Sequence, residues 1–136
     1  MGFKKVASPK GIDYWHKRLW KKFSEYIRRR DADKNGYCIC ISCGRMSHWK
    51  NMDAGHFIGK GSSLFLKYDI RNVNSQCGMC NLNEGDYAGY REGMIRKYGL
   101  AVVEELEATR KYPAGFTTEG LKLRLKEYTE KVKAMN

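Results

Sequence analysis

Four of the five cysteines fall into two Cys-x-x-Cys pairs, Cys40 with Cys43 and Cys77 with Cys80. The tight turn inside each pair aims two sulfurs at one centre, and two pairs complete the tetrahedron of thiolates that Zn²⁺ accepts. Four sulfurs leave no open position for water or substrate, so the expected zinc is structural. A redox role is disfavoured, because two pairs are present and no thioredoxin-like βαβ pattern precedes either. Cys38 is left over and is expected to be a buried strand residue. Histidine chemistry has three candidates, His16, His48 and His56. His56 stands out: it sits in Asp53-Ala-Gly-His-Phe-Ile, a polar group among apolar neighbours between the two knuckles, with Asn72, Asn74, Asn81 and Glu84 downstream. His16 and His48, the latter beside Trp49, read as surface or packing residues.

The elements that must position these groups can be read from periodicity. Residues 13–31 carry Trp15, Leu19, Phe23 and Ile27 at spacings of four, which predicts an amphipathic helix. Its Lys21, Lys22, Arg28 and Arg29 either line a phosphate path or form a solvated face, and sequence does not separate the two. Residues 37–41 read as a strand running into the first knuckle, and residues 53–58 as a second extended piece. A flexible basic loop, 59–63, and residues 64–70 lead to the second knuckle. One helix is expected from Asn81 to about Tyr98, capped by Gly99, and another over 100–109 with Val102, Val103 and Leu106 inward. Thr117 or Thr118 caps a last helix in which Leu121, Leu125, Tyr128 and Val132 share a face. Gly85, Gly89 and Gly93 recur every four residues, either because another backbone approaches that strip or because the helix is frayed.

With 136 residues and a hydrophobic share of 42%, the chain has the size and core of one domain, residues 1–136. Lys and Arg number 26 against 15 Asp and Glu, a formal charge of +11 that favours a polyanionic partner, nucleic acid first. A merely solubilising surface is the alternative. No apolar run reaches membrane-spanning length and the first residues lack a hydrophobic signal core, so the chain is expected to be soluble, unexported and without a membrane partner. Paired cysteines in such a protein fit a reducing compartment and metal thiolates.

The stretches FSEYIRRRDADKNGYCICISCG, DAGHFI, RNVNSQCGMCN and GDYAGYREGMIRKYG resemble the NinG (Rap) family of phage recombination proteins over nearly the whole chain. More distantly, the Cys-x-x-Cys frame, the histidine between the pairs and Cys80-Asn81-x-x-Glu84-Gly85 are similar to phage endonuclease VII. The resemblance implies a zinc-knuckle ββα-metal (His-Asn-His) core over 37–98. The helix over 13–31 and the C-terminal helices over 100–136 would flank it in a small α+β fold. It also implies cleavage of Holliday junctions and other branched DNA during phage recombination, in the cytoplasm of the bacterial host.

Phosphodiester hydrolysis needs a base, a divalent ion and cations for the backbone, and this chain offers each. His56 is expected to be the general base, neutral at working pH. Asn72 matches the middle Asn of the family pattern and would tie the two strands, holding the His56 loop. Asn81, opening its helix beside the zinc site, and Glu84, on the same face, are expected to ligate Mg²⁺ or Mn²⁺. Related nucleases place an acidic ligand directly before the histidine, where this chain has Gly55. Asp53 is the nearest acid, a ligand if the strand is bulged and otherwise a turn residue. Lys60, Lys67, Arg71 and Arg91 are placed to grip phosphates, whereas Tyr87 and Tyr90 favour packing over base stacking. Resolving a four-way junction takes two cuts, so a homodimer is expected, with the first and last helices as candidate interfaces. The competing readings are a sequence-indifferent nuclease cutting ordinary duplex DNA, a non-catalytic zinc module binding nucleic acid, and a zinc-organised protein-interaction module.

Overall fold

The computed structural model describes residues 10–82 and 87–136. Glu84 and Gly85, and with them the proposed acidic ligand and one glycine of the strip, lie outside the described residues.

The first helix, α1 (Ile12–Arg30), forms as its apolar spacing predicts, and its stripe of Leu19, Phe23 and Ile27 is fully buried. Most of that stripe is covered by the last helix, α5 (Thr118–Ala134), whose Leu121, Tyr128 and Val132 face inward. The Phe23 and Tyr128 rings meet edge to face with centroids 5.0 Å apart. Thr117 caps α5, its hydroxyl accepting the Gly120 N–H at 3.0 Å. The two helices expected as dimer interfaces pack on one another through these apolar faces.

Between these helices in chain order come two small antiparallel ladders. Strands β1 (Tyr37–Ile39) and β2 (Met46–His48) form a hairpin whose turn holds the first knuckle, with Cys38 fully buried. Strands β3 (Asp53–His56) and β4 (Val73–Gln76) pair in unbroken register: Asp53 faces Gln76, Ala54 faces Ser75, Gly55 faces Asn74 and His56 faces Val73. The strand therefore has no bulge at Asp53. Alternation puts Ala54 and His56 on one side of the ladder and Asp53 and Gly55 on the other. Ala54 and Val73 join the core built on α1. Residues 64–70, between the loop and β4, form turns rather than a regular element.

After the second knuckle come α2 (Gly78–Leu82), α3 (Tyr87–Tyr98) and α4 (Leu100–Thr109), the last two separated by Gly99 at φ +93°. The helix begins at Gly78 rather than at Asn81, because the Cys77–Cys80 knuckle already forms its first turn, closed by the Asn81 N–H on the Cys77 carbonyl. Tyr90 and Met94 of α3 and Val103 and Leu106 of α4 enclose a second core with Phe57, Ile58 and Leu66. The whole is a mixed α+β fold of helices and two small sheets.

One buried polar network locks these layers together. The fully buried Asn74 accepts from Arg30 (3.1 Å), Lys97 (2.7 Å) and the Tyr98 hydroxyl (2.9 Å). Asp31 accepts the Ser75 N–H and pairs with both Arg30 and Lys97. Burial alone would raise the Asp31 carboxyl, but hydrogen bonds and charge from Arg30 and Lys97 hold it below its ordinary value.

Candidate active site

The four knuckle cysteines converge as their spacing predicts, all four sulfurs lying within 4.8 Å of one another. Cys43 Sγ and Cys77 Sγ are 3.8 Å apart. A tetrahedral zinc with bonds of about 2.3 Å requires S···S edges of roughly 3.8 Å, so the cluster can hold a metal such as zinc. Met52, Cys38 and Trp49 pack around it. The knuckles bring α2 and its Asn81 against β3.

His56 is half-buried at the end of β3. Its ring lies nearly parallel to Trp20 of α1, centroids 5.0 Å apart and planes at 17°, and its Nε2 is 2.9 Å from the Lys67 carbonyl oxygen. That oxygen can only accept, so Nε2 carries the hydrogen. Burial, reinforced by the charges of Lys60 and Lys67, lowers the ring's pKa to about 4 against the Lys67 hydrogen bond, which raises it. The imidazole is thus neutral at pH 7, with Nδ1 bare and able to take a proton.

Asn72 holds the segment that carries this geometry. It is fully buried, its Oδ1 accepting the Ile58 N–H at 2.8 Å and its Nδ2 donating to the Ile58 and Leu66 carbonyls. One amide therefore closes the loop between Ile58 and Leu66, next to the carbonyl that orients His56.

On the opposite side of the β3–β4 ladder, Asn81 Nδ2 donates to Asp53 Oδ2 at 3.1 Å. Asp53 reaches Asn81 without a bulge because it lies two residues before Gly55 and so shares its face. His56, Asp53 and Asn81 all line one cleft of about 1090 Å³. Arg28, Lys50, Lys60 and Arg110 also line it, against the single acid Asp53 among the described lining residues.

The chain belongs to the NinG family. The family model described as bacteriophage lambda NinG protein matches residues 3–136. Protein ninG of Salmonella phage P22 is 36% identical over 121 residues, covering 88% of this chain and 57% of that protein. Protein ninG of Escherichia phage lambda is 32% identical over the same length, covering 88% and 56%. That of Escherichia phage 933W is 34% identical over 96 residues, 70% and 45%. This NinG chain thus spans about half the length of the curated relatives it matches. No solved structure matches it.

Of the predicted DNA-binding residues of this NinG protein, Arg28 and Lys60 line the cleft, while Lys21, Lys22, Arg29, Lys67, Arg71 and Arg91 do not. Arg71 is held by Asp69 and Glu105, and Arg91 by both oxygens of Glu107. Lys67 serves the site through its carbonyl, and its ammonium lies 3.3 Å from His16 Nδ1. His16 packs on Tyr68, and His48 accepts the Lys50 N–H. Tyr90 is buried, its hydroxyl donating to the Gly55 carbonyl at 2.6 Å, and packs as expected, whereas Tyr87 stacks on Phe57 but is exposed and lines the cleft. Trp20, Lys50, Gln76 and Arg110 were not anticipated at the site. Gln76 had a positional signal, since it directly precedes the paired cysteine Cys77.

Proposed function

We propose that this chain is a metal-dependent DNA endonuclease in which β3, β4 and the helix after them form a ββα-metal core. The observation that carries the reading is His56, a neutral imidazole with one nitrogen fixed on a carbonyl and the other free, in a basic cleft shared with the Asp53–Asn81 pair. In this reading Nδ1 of His56 takes the proton of the attacking water while the Lys67 carbonyl stabilises the imidazolium that forms. Trp20 and Asn72 keep the ring from turning, and Arg28, Lys50, Lys60 and Arg110 hold the flanking phosphates.

Asp53 and Asn81 place a carboxylate and an amide side by side, a donor set suited to Mg²⁺ or Mn²⁺. The chemistry such an ion supplies when bound is neutralisation of charge on the scissile phosphate and the leaving oxygen. The cysteine cluster is read as structural Zn²⁺, which fixes Asn81 through α2.

The substrate class is branched DNA, a reading supported by the likeness to endonuclease VII in the cysteine frame and in the residues after Cys80. Paired cuts across a junction imply action as a homodimer.

Labelled four-way junction and matched linear duplex, each with Mg²⁺ or Mn²⁺, test this directly. Junction-selective cutting is expected, and the His56→Ala protein should lose about 10²-fold or more of it. Equal cutting of both substrates would remove the branch preference, and salt-sensitive binding without cutting would replace the nuclease by a non-catalytic zinc module.

A further inference from the structure

Gly55 lies beside His56, and its missing side chain leaves a space that another residue fills. A Cβ built on Gly55 would sit 1.9 Å from Gln76 Oε1 and 3.1 Å from Asn81 Oδ1. Taken together, those distances keep the two oxygens within about 5 Å of one another. Around an octahedral Mg²⁺ or Mn²⁺ with bonds of about 2.1 Å, neighbouring oxygens are roughly 3 Å apart and opposite ones roughly 4.2 Å, so both arrangements fit within that limit. Asp53 is directly across the ladder from Gln76, and cross-strand partners share a face. Its Oδ2 in turn meets Asn81 Nδ2.

Gln76 is itself 5% exposed and lines the cleft. Its Nε2 is tied to Ser42 Oγ at 3.0 Å, inside the first zinc knuckle, whereas its Oε1 accepts from no donor among the described residues. The side chain is thus largely buried and tied at its nitrogen, while its oxygen stays open to the cleft, where an ion can reach it.

We infer that Gln76 Oε1 is a third protein ligand of the divalent ion, joining Asp53 and Asn81 in the space that Gly55 leaves open. This rests on the metal-dependent reading above and adds to it a residue from β4. The Ser42 hydrogen bond makes the two metal sites adjacent in structure, since one end of the Gln76 amide touches the zinc knuckle and the other faces the cleft.

The test is Mn²⁺ binding to the zinc-loaded chain, followed by the electron paramagnetic resonance signal of free Mn²⁺, with zinc content measured in every variant. Gln76→Ala should weaken binding about tenfold or more at unchanged zinc content. Ser42→Ala, which keeps the oxygen, should weaken it far less. Gln76→Glu should tighten it. Gly55→Asp combined with Gln76→Ala should return affinity toward wild type, because the new carboxylate enters the space the amide has vacated. Wild-type affinity in Gln76→Ala would overturn the inference while leaving the nuclease reading intact. Should Gln76→Ala lose zinc, Gln76→Glu decides, and no tightening there overturns it. Failure of the wild-type chain to bind Mn²⁺ at all would overturn the metal-dependent reading, and this inference with it.

Discussion

A histidine that takes a proton from water at neutral pH has to be uncharged beforehand, and His56 is kept so by burial and by Lys60 and Lys67. Its folded pKa of about 4 lies below the ordinary 6.5, so between those values the unfolded chain binds a proton that the folded chain refuses. The stability associated with His56 is therefore present above pH 6.5 and is lost as pH falls toward 4. Its size is at most about 3 kcal/mol. Urea unfolding at pH 7 and at about pH 4.5 should show this loss in the wild type and a flatter response in His56→Phe. An equal response would mean that the ring is more open to water than its stacking on Trp20 implies. That His56, Asp53 and Asn81 share one cleft was legible in the sequence from their types and their places among the paired cysteines. The Lys67 carbonyl was not, since every residue has one. Gln76 was missed because its place beside a paired cysteine, though visible, assigns it no partner until the register sets it across the ladder from Asp53.

At the level of elements, α1, α4 and α5 were legible because each buries one face, and a buried face writes its period into the sequence. Strand β4 was not: all four of its residues are buried, yet three of them, Asn74, Ser75 and Gln76, are polar. Asn74 is tolerated inside because the helices supply partners, Arg30 from α1 and Lys97 and Tyr98 from α3, while Gln76 donates to Ser42 of the first knuckle. Strand β2 is short and half-exposed and carries no apolar pattern of its own. A backbone does approach the glycine strip at Gly93, but it belongs to the first knuckle rather than to a neighbouring helix or a DNA strand. A Cβ there would lie 2.0 Å from the Ile41 carbonyl oxygen. In an open helix Gly→Ala gains about 1 kcal/mol. At Gly93 the clash is with main chain inside the Cys40–Cys43 knuckle, so the sign should reverse, with a loss of about 1–3 kcal/mol. Thermal unfolding of Gly93→Ala measures this, and a raised midpoint would show that the knuckle can retreat from α3.

For the whole molecule, a charge of +11 says that a polyanion is attracted but not where it sits. The structure separates the cations into two groups. Arg71 and Arg91 are already paired with carboxylates, whereas Arg28, Lys50, Lys60 and Arg110 surround the cleft that holds His56. Each phosphate neutralised on duplex DNA releases counterions and contributes about −0.9 to the slope of log affinity against log salt. If DNA lies in the cleft and meets those four cations, the slope is about −3.6, a loss of roughly 10²-fold between 50 and 200 mM salt. If instead the whole basic surface binds without a preferred path, more phosphates are engaged and the slope is steeper. Single alanine variants locate the path. Lys50→Ala and Arg110→Ala should each make the slope shallower by about 1, while Arg91→Ala should leave it unchanged because its guanidinium is committed to Glu107. Titrations at four or five salt concentrations supply these slopes. A change in Arg91→Ala equal to that in Lys50→Ala would mean that DNA wraps over α3 as well, and that the Arg91–Glu107 pair opens to receive it.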